Sequence, residues 1–156
     1  MNPTIEQALQ QGVAAHREGK LKEAEGFYRT ILRSEPKHPD ANHNLGVLAV
    51  SVNQVEVALP LFKTALEASP KVEQFWLSYI DALIKEQQFD NAERVIEQGK
   101  QQGVAGEKLN ALKAKLSIVV PADEPTGIKP KQKFSEKRKK SAADKKKKKG
   151  QKQGVK

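Results

Sequence analysis

The sequence repeats itself at a fixed interval of 34 residues. Residues 24–36 read AEGFYRTILRSEP and residues 58–70 read ALPLFKTALEASP, so small, aromatic, aliphatic and proline positions coincide when the stretches are aligned. The coinciding pairs are Ala24 and Ala58, Tyr28 and Phe62, Leu32 and Leu66, and Pro36 and Pro70. A period of roughly 20 to 50 residues indicates stacked supersecondary units, none of which can bury its apolar face alone.

Each repeat is predicted to contain two helices. In residues 41–52, and again in residues 58–66, apolar side chains recur at the spacing of one helix face. Gly46 and Ala58 lie about half a repeat apart, where small residues allow two antiparallel helices to approach closely. A larger side chain at either position would push the two helices apart.

Aromatic residues and prolines occupy defined positions in this pattern. Tyr28, Phe62 and Trp76 are predicted to fill the space between layers, whereas the prolines that close residues 24–36 and 58–70 end the second helices. Pro60 falls inside one of these helices, and we expect it to bend that helix slightly near its start.

The arrangement resembles the tetratricopeptide repeat. The matching residues are Gly12, Ala24, Tyr28 and Pro36 in the first repeat, Leu45, Gly46, Ala58, Phe62, Ala65 and Pro70 in the second, and Trp76 and Ala92 in the third. The resemblance covers about residues 4–104 and implies an all-α fold, a right-handed α-solenoid of three helix pairs. The repeats are expected near residues 5–38, 39–72 and 73–104.

A final helix is expected to cap the stack. Residues 106–117 place Leu109, Leu112 and Leu116 on one face, with most lysines elsewhere. A solenoid has an exposed apolar end, which a terminal helix with one polar face would cover. The predicted repeat domain therefore comprises residues 1–118.

The sequence contains no pattern of catalytic residues that we can recognise. It has no cysteine, and no glycine-rich phosphate-binding loop stands between a strand and a helix. His16, His38 and His43 lack the spacing of a metal site with a third ligand. We therefore expect a chain without catalytic activity, metal or cofactor.

The resemblance instead implies binding along the first helix of each repeat. The expected groove combines apolar and polar positions: Leu9, Val13, Arg17, His43, Asn44, Val47, Val50, Leu77, Asp81 and Ile84. An extended or helical peptide with apolar anchors would suit such a surface. An alternative is that Val13, Val47 and Ile84 pack between repeats.

One kind of partner is not expected. Related domains that grip acidic chaperone C-termini use lysines, arginine and asparagines at groove positions. Here Asn44 fits that set, but Leu9 and Val13 stand where lysine and asparagine would be needed. Gln74 and Ser78 stand where basic residues would be needed. A bound carboxylate would lack its charged partners.

The C-terminal part has a different composition. Residues 119–128 are rich in proline and read as a linker, and residues 129–156 carry 14 Lys or Arg and two acids. Such a segment cannot bury a core and is predicted to be disordered. Its candidate polyanion contacts are Lys137, Arg138, Lys139, Lys140, Lys145, Lys146, Lys147, Lys148 and Lys149. Non-specific RNA or DNA would bind them electrostatically, although a solubilising linker has the same composition.

Three functions therefore stay open at this stage. The first is a protein-binding scaffold, and the second is tethering to a polyanion through the tail. The third follows from a resemblance to large bacterial proteins, in which similar repeats precede a transferase domain such as the O-linked N-acetylglucosamine type. No apolar run approaches the roughly 20 residues that span a bilayer, so we expect a cytoplasmic protein without a membrane partner.

Overall fold

The computed structural model describes residues 2–104 and 106–119, and within these ranges the chain is all-helical. The helices are α1 (Ile5–Arg17), α2 (Leu21–Ser34), α3 (Pro39–Ser51), α4 (Val55–Ala68), α5 (Glu73–Lys85), α6 (Phe89–Gln101) and α7 (Gly106–Val119). The short connections make α1 and α2, α3 and α4, and α5 and α6 into antiparallel pairs. The pairs stack in chain order, and α7 packs on α5 and α6, so the predicted α-solenoid is confirmed.

Local signals explain where two of the first helices begin. Thr4 and Gln7 form a reciprocal capping box, in which the Thr4 side chain accepts from the Gln7 backbone N–H and the Gln7 side chain accepts from the Thr4 N–H. His38 Nδ1 accepts from the Ala41 N–H at 3.2 Å, and Pro39 supplies the first residue of α3.

The turn between the helices of each pair uses a left-handed residue at an equivalent position. Gly19 has φ of 76°, Asn53 has 61° and Gln87 has 58°, and these residues are 34 positions apart. Their backbone N–H groups donate to carbonyls of the preceding helix, which satisfies acceptors that its end would otherwise leave free. The same turn geometry is thus kept while the residue changes from glycine to glutamine.

Direct contact between a glycine and an aromatic ring sets the spacing within the first two pairs. A Cβ added at Gly12 would lie 2.6 Å from Tyr28 Cε1, and one added at Gly46 would lie 2.6 Å from Phe62 Cε1. The predicted close approach at Gly46 is confirmed. In the third pair, Ile80 stands at the glycine position and Ile96 at the aromatic position, and both are fully buried. Two side chains of medium size thus take the place of a glycine and a ring.

A side-chain hydrogen bond recurs at the junctions between pairs. Asn42 Nδ2 donates to the Pro36 carbonyl at 3.0 Å, and Trp76 Nε1 donates to the Pro70 carbonyl at 2.8 Å. Donors and acceptors are each 34 residues apart. Asn42 is only 3% exposed, and its second bond to the His38 carbonyl satisfies both amide hydrogens. The turn that leads into each new repeat is therefore fixed to that repeat's first helix.

Two further expectations concern Pro60 and the cap. α4 continues through Pro60 to Ala68, and Thr64 Oγ1 donates to the Pro60 carbonyl at 2.9 Å. α7 extends to Val119, two residues beyond the expected end of the cap. The remainder of the predicted linker and the whole basic tail lie outside the described residues. No helix in the described ranges has the length and apolarity needed to cross a bilayer.

We expect Gly46→Ala to destabilise the protein, because the new methyl group would meet the Phe62 ring in a packed interior. Overpacking of this kind costs about 1–3 kcal/mol, more than the roughly 1 kcal/mol that alanine gains over glycine in a helix. Gly26→Ala is the matched control, since a Cβ there meets nothing within 4 Å, and it is expected to stabilise by about 0.5–1 kcal/mol. Urea unfolding of both variants would measure the difference, and equal effects would contradict the contact.

Candidate functional site

The first helices of the pairs form one face of the solenoid. α1 lies against α3, α3 against α5 and α5 against α7, whereas the second helices α2, α4 and α6 make no contact with one another. Stacked pairs whose first helices touch while their second helices are separated must curve toward the first helices. The face formed by α1, α3 and α5, here called the inner face, carries the residues predicted for the groove.

The predicted groove residues differ in burial. Arg17 is exposed on the last turn of α1, whereas Ile84 is only 7% exposed and has little surface left for a ligand. The other eight are half-buried: Leu9, Val13, His43, Asn44, Val47, Val50, Leu77 and Asp81. Half-buried residues are held by neighbours yet keep part of their surface open.

Four apolar residues of this set also pack against clusters of buried core residues. Leu9 and Val13 contact a cluster that contains Tyr28 and Leu45. Val47 and Val50 contact the cluster that contains Phe62. These four side chains therefore contribute to the core and to the inner face together, so the two interpretations of Val13 and Val47 do not exclude each other.

His43 occupies the middle of the inner face. Its ring centroid lies 5.6 Å from that of Phe62 and 4.8 Å from that of Phe75, both in tilted contacts. Its Nε2 shares a 2.8 Å hydrogen bond with Ser78 Oγ, and Gln74 Nε2 donates to the same oxygen at 3.2 Å. Burial lowers the pKa of His43 below its ordinary 6.5, against smaller raising effects from Asn44 and Asp40. Sequence patterns gave no sign of this network, although Gln74 and Ser78 had been placed on the same face.

Asp81 is engaged by lysines on two helices. Its carboxylate lies 3.7 Å from Lys85 Nζ and 3.1 Å from Lys115 Nζ on α7. α7 also brings Lys108 to 3.0 Å from Glu73 on α5. These pairs are partly exposed and are screened by salt. The third-repeat end of the inner face is thus bordered by α7.

The 34-residue period continues into α7. Leu109 is equivalent to Phe75 in α5, and both are buried. α7 therefore occupies the place of a fourth first helix, with Leu109 and Leu116 buried and Leu112 half-buried. Lys113 Nζ donates to Glu97 Oε1 on α6, and this bond lowers the pKa of Glu97.

A second concave feature lies between α2, α3 and α4, away from the inner face. This cleft of about 480 Å³ has apolar walls from Leu21, Leu48 and Leu61, with Val52 and Val57 partly exposed at its edge. Lys22 and the ion-paired Arg29 and Glu25 supply its polar lining. Sequence analysis did not find it, because its residues come from three helices and share no periodicity.

In the described part of the chain, no group of three His, Cys, Asp or Glu residues lies close enough together to hold a metal ion.

Comparisons with known proteins agree with this architecture. Residues 49–116 match the family described as tetratricopeptide repeat. A search of curated proteins gives no match to this chain. Among solved structures, the TPR domain of Sgt2 from Aspergillus fumigatus is 17% identical, with a TM-score of 0.67, covering 76% of this chain and 80% of that chain.

Two other solved structures share the fold. The second TPR domain of human RPAP3, in complex with the HSP70 peptide SGPTIEEVD, is 13% identical with a TM-score of 0.63, covering 70% of this chain and 92% of that one. A mutant O-GlcNAc transferase from Thermobaculum terrenum is 19% identical with a TM-score of 0.57; 65% of this chain aligns to only 20% of the transferase. At these identities the similarity concerns the fold.

Paired helices of 34-residue period, stacked in chain order and curved toward their first helices, define an α-solenoid of the helical-repeat class. Residues 49–116 match the tetratricopeptide-repeat family, and the helical part of the chain shares the fold of solved tetratricopeptide-repeat domains.

We expect the attachment of α7 to depend on its leucines more than on its lysines. Leu109→Ala removes a fully buried side chain and should cost about 2–5 kcal/mol, whereas Lys115→Ala removes an exposed pair worth at most about 1 kcal/mol. Hydrogen exchange of the α7 amides, followed by mass spectrometry, would compare the two variants. Equal protection in both would contradict this order.

Proposed function

We propose that this protein is an interaction scaffold that binds a segment of a partner protein on its inner face, without catalysing a reaction. The observation that supports the proposal most is a continuous set of half-buried apolar side chains on the first helices. They are Leu9, Val13, Val47, Val50 and Leu77. Because the face curves around these residues, a partner segment would bury more apolar surface there than on a flat surface.

Polar groups beside the apolar set would orient the bound segment. Asn44 can donate and accept hydrogen bonds with a peptide backbone, and Arg17 offers an exposed cation at the first-repeat end. The human RPAP3 domain, which has the same fold, is solved with a bound peptide. That likeness supports a peptide as the occupant.

Site-specific photo-crosslinking would test where a partner lies. A photoreactive amino acid at Val50 or Leu77 on the inner face should give covalent adducts with a partner after irradiation of cells. The same amino acid at Lys63 or Glu93, exposed on α4 and α6, serves as the control. Adducts confined to the two inner-face positions are expected. Adducts confined to the two control positions would contradict the proposal.

We expect no binding of an acidic chaperone peptide. Lys85 and Lys115, the cations at the third-repeat end of the inner face, are already paired with Asp81. Leu9 and Val13, at the other end, are apolar and pack against the core. Fluorescence anisotropy with labelled SGPTIEEVD, the peptide of the human RPAP3 complex, should show no saturable binding up to about 100 µM, weaker than a typical specific complex. Saturable binding at low micromolar protein concentration would contradict this expectation and would favour an acidic chaperone peptide as the partner.

Tethering to a polyanion is the second candidate, supported by the charge of residues 129–156. A full-length variant with Lys145, Lys146, Lys147, Lys148 and Lys149 changed to glutamine distinguishes the two proposals. Inner-face adducts that persist in this variant would place the partner on the repeats. Loss of all adducts in this variant would favour the polyanion, provided that nucleic acid co-purifies with the wild type and is released by about 1 M salt.

Recruitment for a larger transferase is the remaining alternative. Its support is the shared fold with the repeat region of the bacterial O-GlcNAc transferase, of which only a fifth aligns. In that case the inner face would bind a substrate protein, so the crosslinking positions stay the same. A protein that a transferase modifies, found among the adducts, would favour this alternative.

A further inference from the structure

His43 stands at a position that the other repeats fill with leucine. Leu9 and Leu77 are its equivalents at the 34-residue period. Leucine at this position needs only apolar neighbours, whereas an imidazole changes charge within the physiological pH range. The second repeat therefore carries a titratable group where its neighbours carry none.

The surroundings of His43 connect two repeats. Phe62 belongs to α4 of the second repeat, whereas Phe75 and Ser78 belong to α5 of the third. Because Gln74 Nε2 donates to Ser78 Oγ, the Ser78 hydroxyl hydrogen is available to donate to a neutral His43 Nε2. The imidazole is thus a packing residue and, in the neutral tautomer with its proton on Nδ1, a hydrogen-bond acceptor at the junction of α3 with α5.

We propose that His43 is a proton-sensitive joint between the second and third repeats. The neutral ring holds α3 against α5. A proton on Nε2 turns the acceptor into a donor, so the hydrogen bond from the Ser78 hydroxyl to His43 is lost and the hydroxyl has to turn to accept from His43 as well as from Gln74. It also leaves a charge between two phenyl rings with restricted access to water. Protonation therefore loosens this junction.

Few charged groups around the ring oppose this effect. On α3, Asp40 favours the protonated form, and Asn44 can accept a hydrogen bond from it, but burial outweighs both in lowering the pKa of His43. On α5, the carboxylates of Glu73 and Asp81 are engaged by lysines of α7, and neither contributes to that shift.

The remaining neighbours bring no compensating charge. The contacts from α4 come through the neutral Phe62 ring. α1, which also packs on α3, has Glu6, Arg17 and His16 as its titratable or charged residues, and none of them contributes to the shift of His43. Within the described residues, Asp40 is the charged group that acts on the ring.

Proton linkage gives the direction of the effect. The unfolded chain has the ordinary histidine pKa of 6.5, and the folded pKa lies below it. Between these two values the unfolded state binds more protons, so stability is complete above 6.5 and is lost as pH falls through the folded pKa. The folding equilibrium constant then falls by the ratio of the two acid dissociation constants.

Histidine NMR on the full-length chain tests the proposal without any ligand. The chain has three histidines, and His43→Leu, His16→Gln and His38→Asn assign their ring signals. His38→Asn keeps an acceptor for the α3 N-terminus while removing the titration. We expect the His43 ring to titrate below 6.5, with amide signals of α5 near Ser78 shifting at the same midpoint. A His43 midpoint at or above 6.5, or α5 amides that do not respond, would overturn the proposal.

Urea unfolding at about pH 7.5 and about pH 5 gives the second readout, in a range where histidine titrates. The lowered pKa of Glu97 affects stability only at more acidic pH. The unfolding midpoint of the wild type and of His38→Asn should fall between the two conditions, whereas His43→Leu should lose most of that fall. If the unfolding midpoint of His43→Leu falls as much as that of the wild type, the proposal that His43 is a proton-sensitive joint is refuted. If His43→Leu does not fold, the wild-type NMR titration still decides.

The consequence for partner binding rests on the proposed function. Val47 on α3 and Leu77 on α5 lie on the two helices that meet at this junction, so their separation would change as the junction loosens, and an inner-face partner should bind less tightly in acid. Partner release is measured by crosslinking yield at Leu77 across the same pH range. Failure of that experiment alone would count against the inner-face function, while the NMR titration addresses the joint itself.

Discussion

The contact between a ring and a glycine is the constraint on which the rest of the structure depends. Phe62 lies so close to Gly46 that even one additional carbon would force the ring to move. This contact fixes how near two helices of a pair come, and the pair is the unit that stacks. Ala58 on α4 is fully buried, and its small side chain also allows α3 and α4 to approach closely. The stacking of such pairs, with first helices in contact and second helices apart, then forms the inner face.

Sequence reasoning was most successful where a residue's role depends on size and period. Gly46, Ala58 and Trp76 were placed correctly, because close packing leaves only small residues at some positions and only large ones at others. Leu109 and Leu116 followed from the helical period of the final segment. The groove residues stay a prediction of function, although the structure places most of them half-buried on one face.

What the sequence could not give are relations between side chains on different elements. Each lysine of α7 looked like part of a solvated face, and no periodicity could pair Lys115 with Asp81 or Lys108 with Glu73. The position of His43 between Phe62 and Phe75 was missed for a similar reason, since one contact joins the two helices of a pair and the other crosses to the next repeat. Such contacts depend on the angle between successive repeats. That angle is set by the packing of the whole interface between them, and the spacing of residues along the sequence does not reveal it.

The way α7 is attached has a mechanical consequence. Within the described residues it is a first helix that no second helix accompanies, and Ile118 near its end is 81% exposed. A pulling load applied through Val119 would reach this helix before any complete pair, and two buried leucines with exposed ion pairs would have to bear it. α7 would therefore detach from α5 and α6 before any complete helix pair comes apart. The glycine–ring contacts within the first two pairs would remain intact.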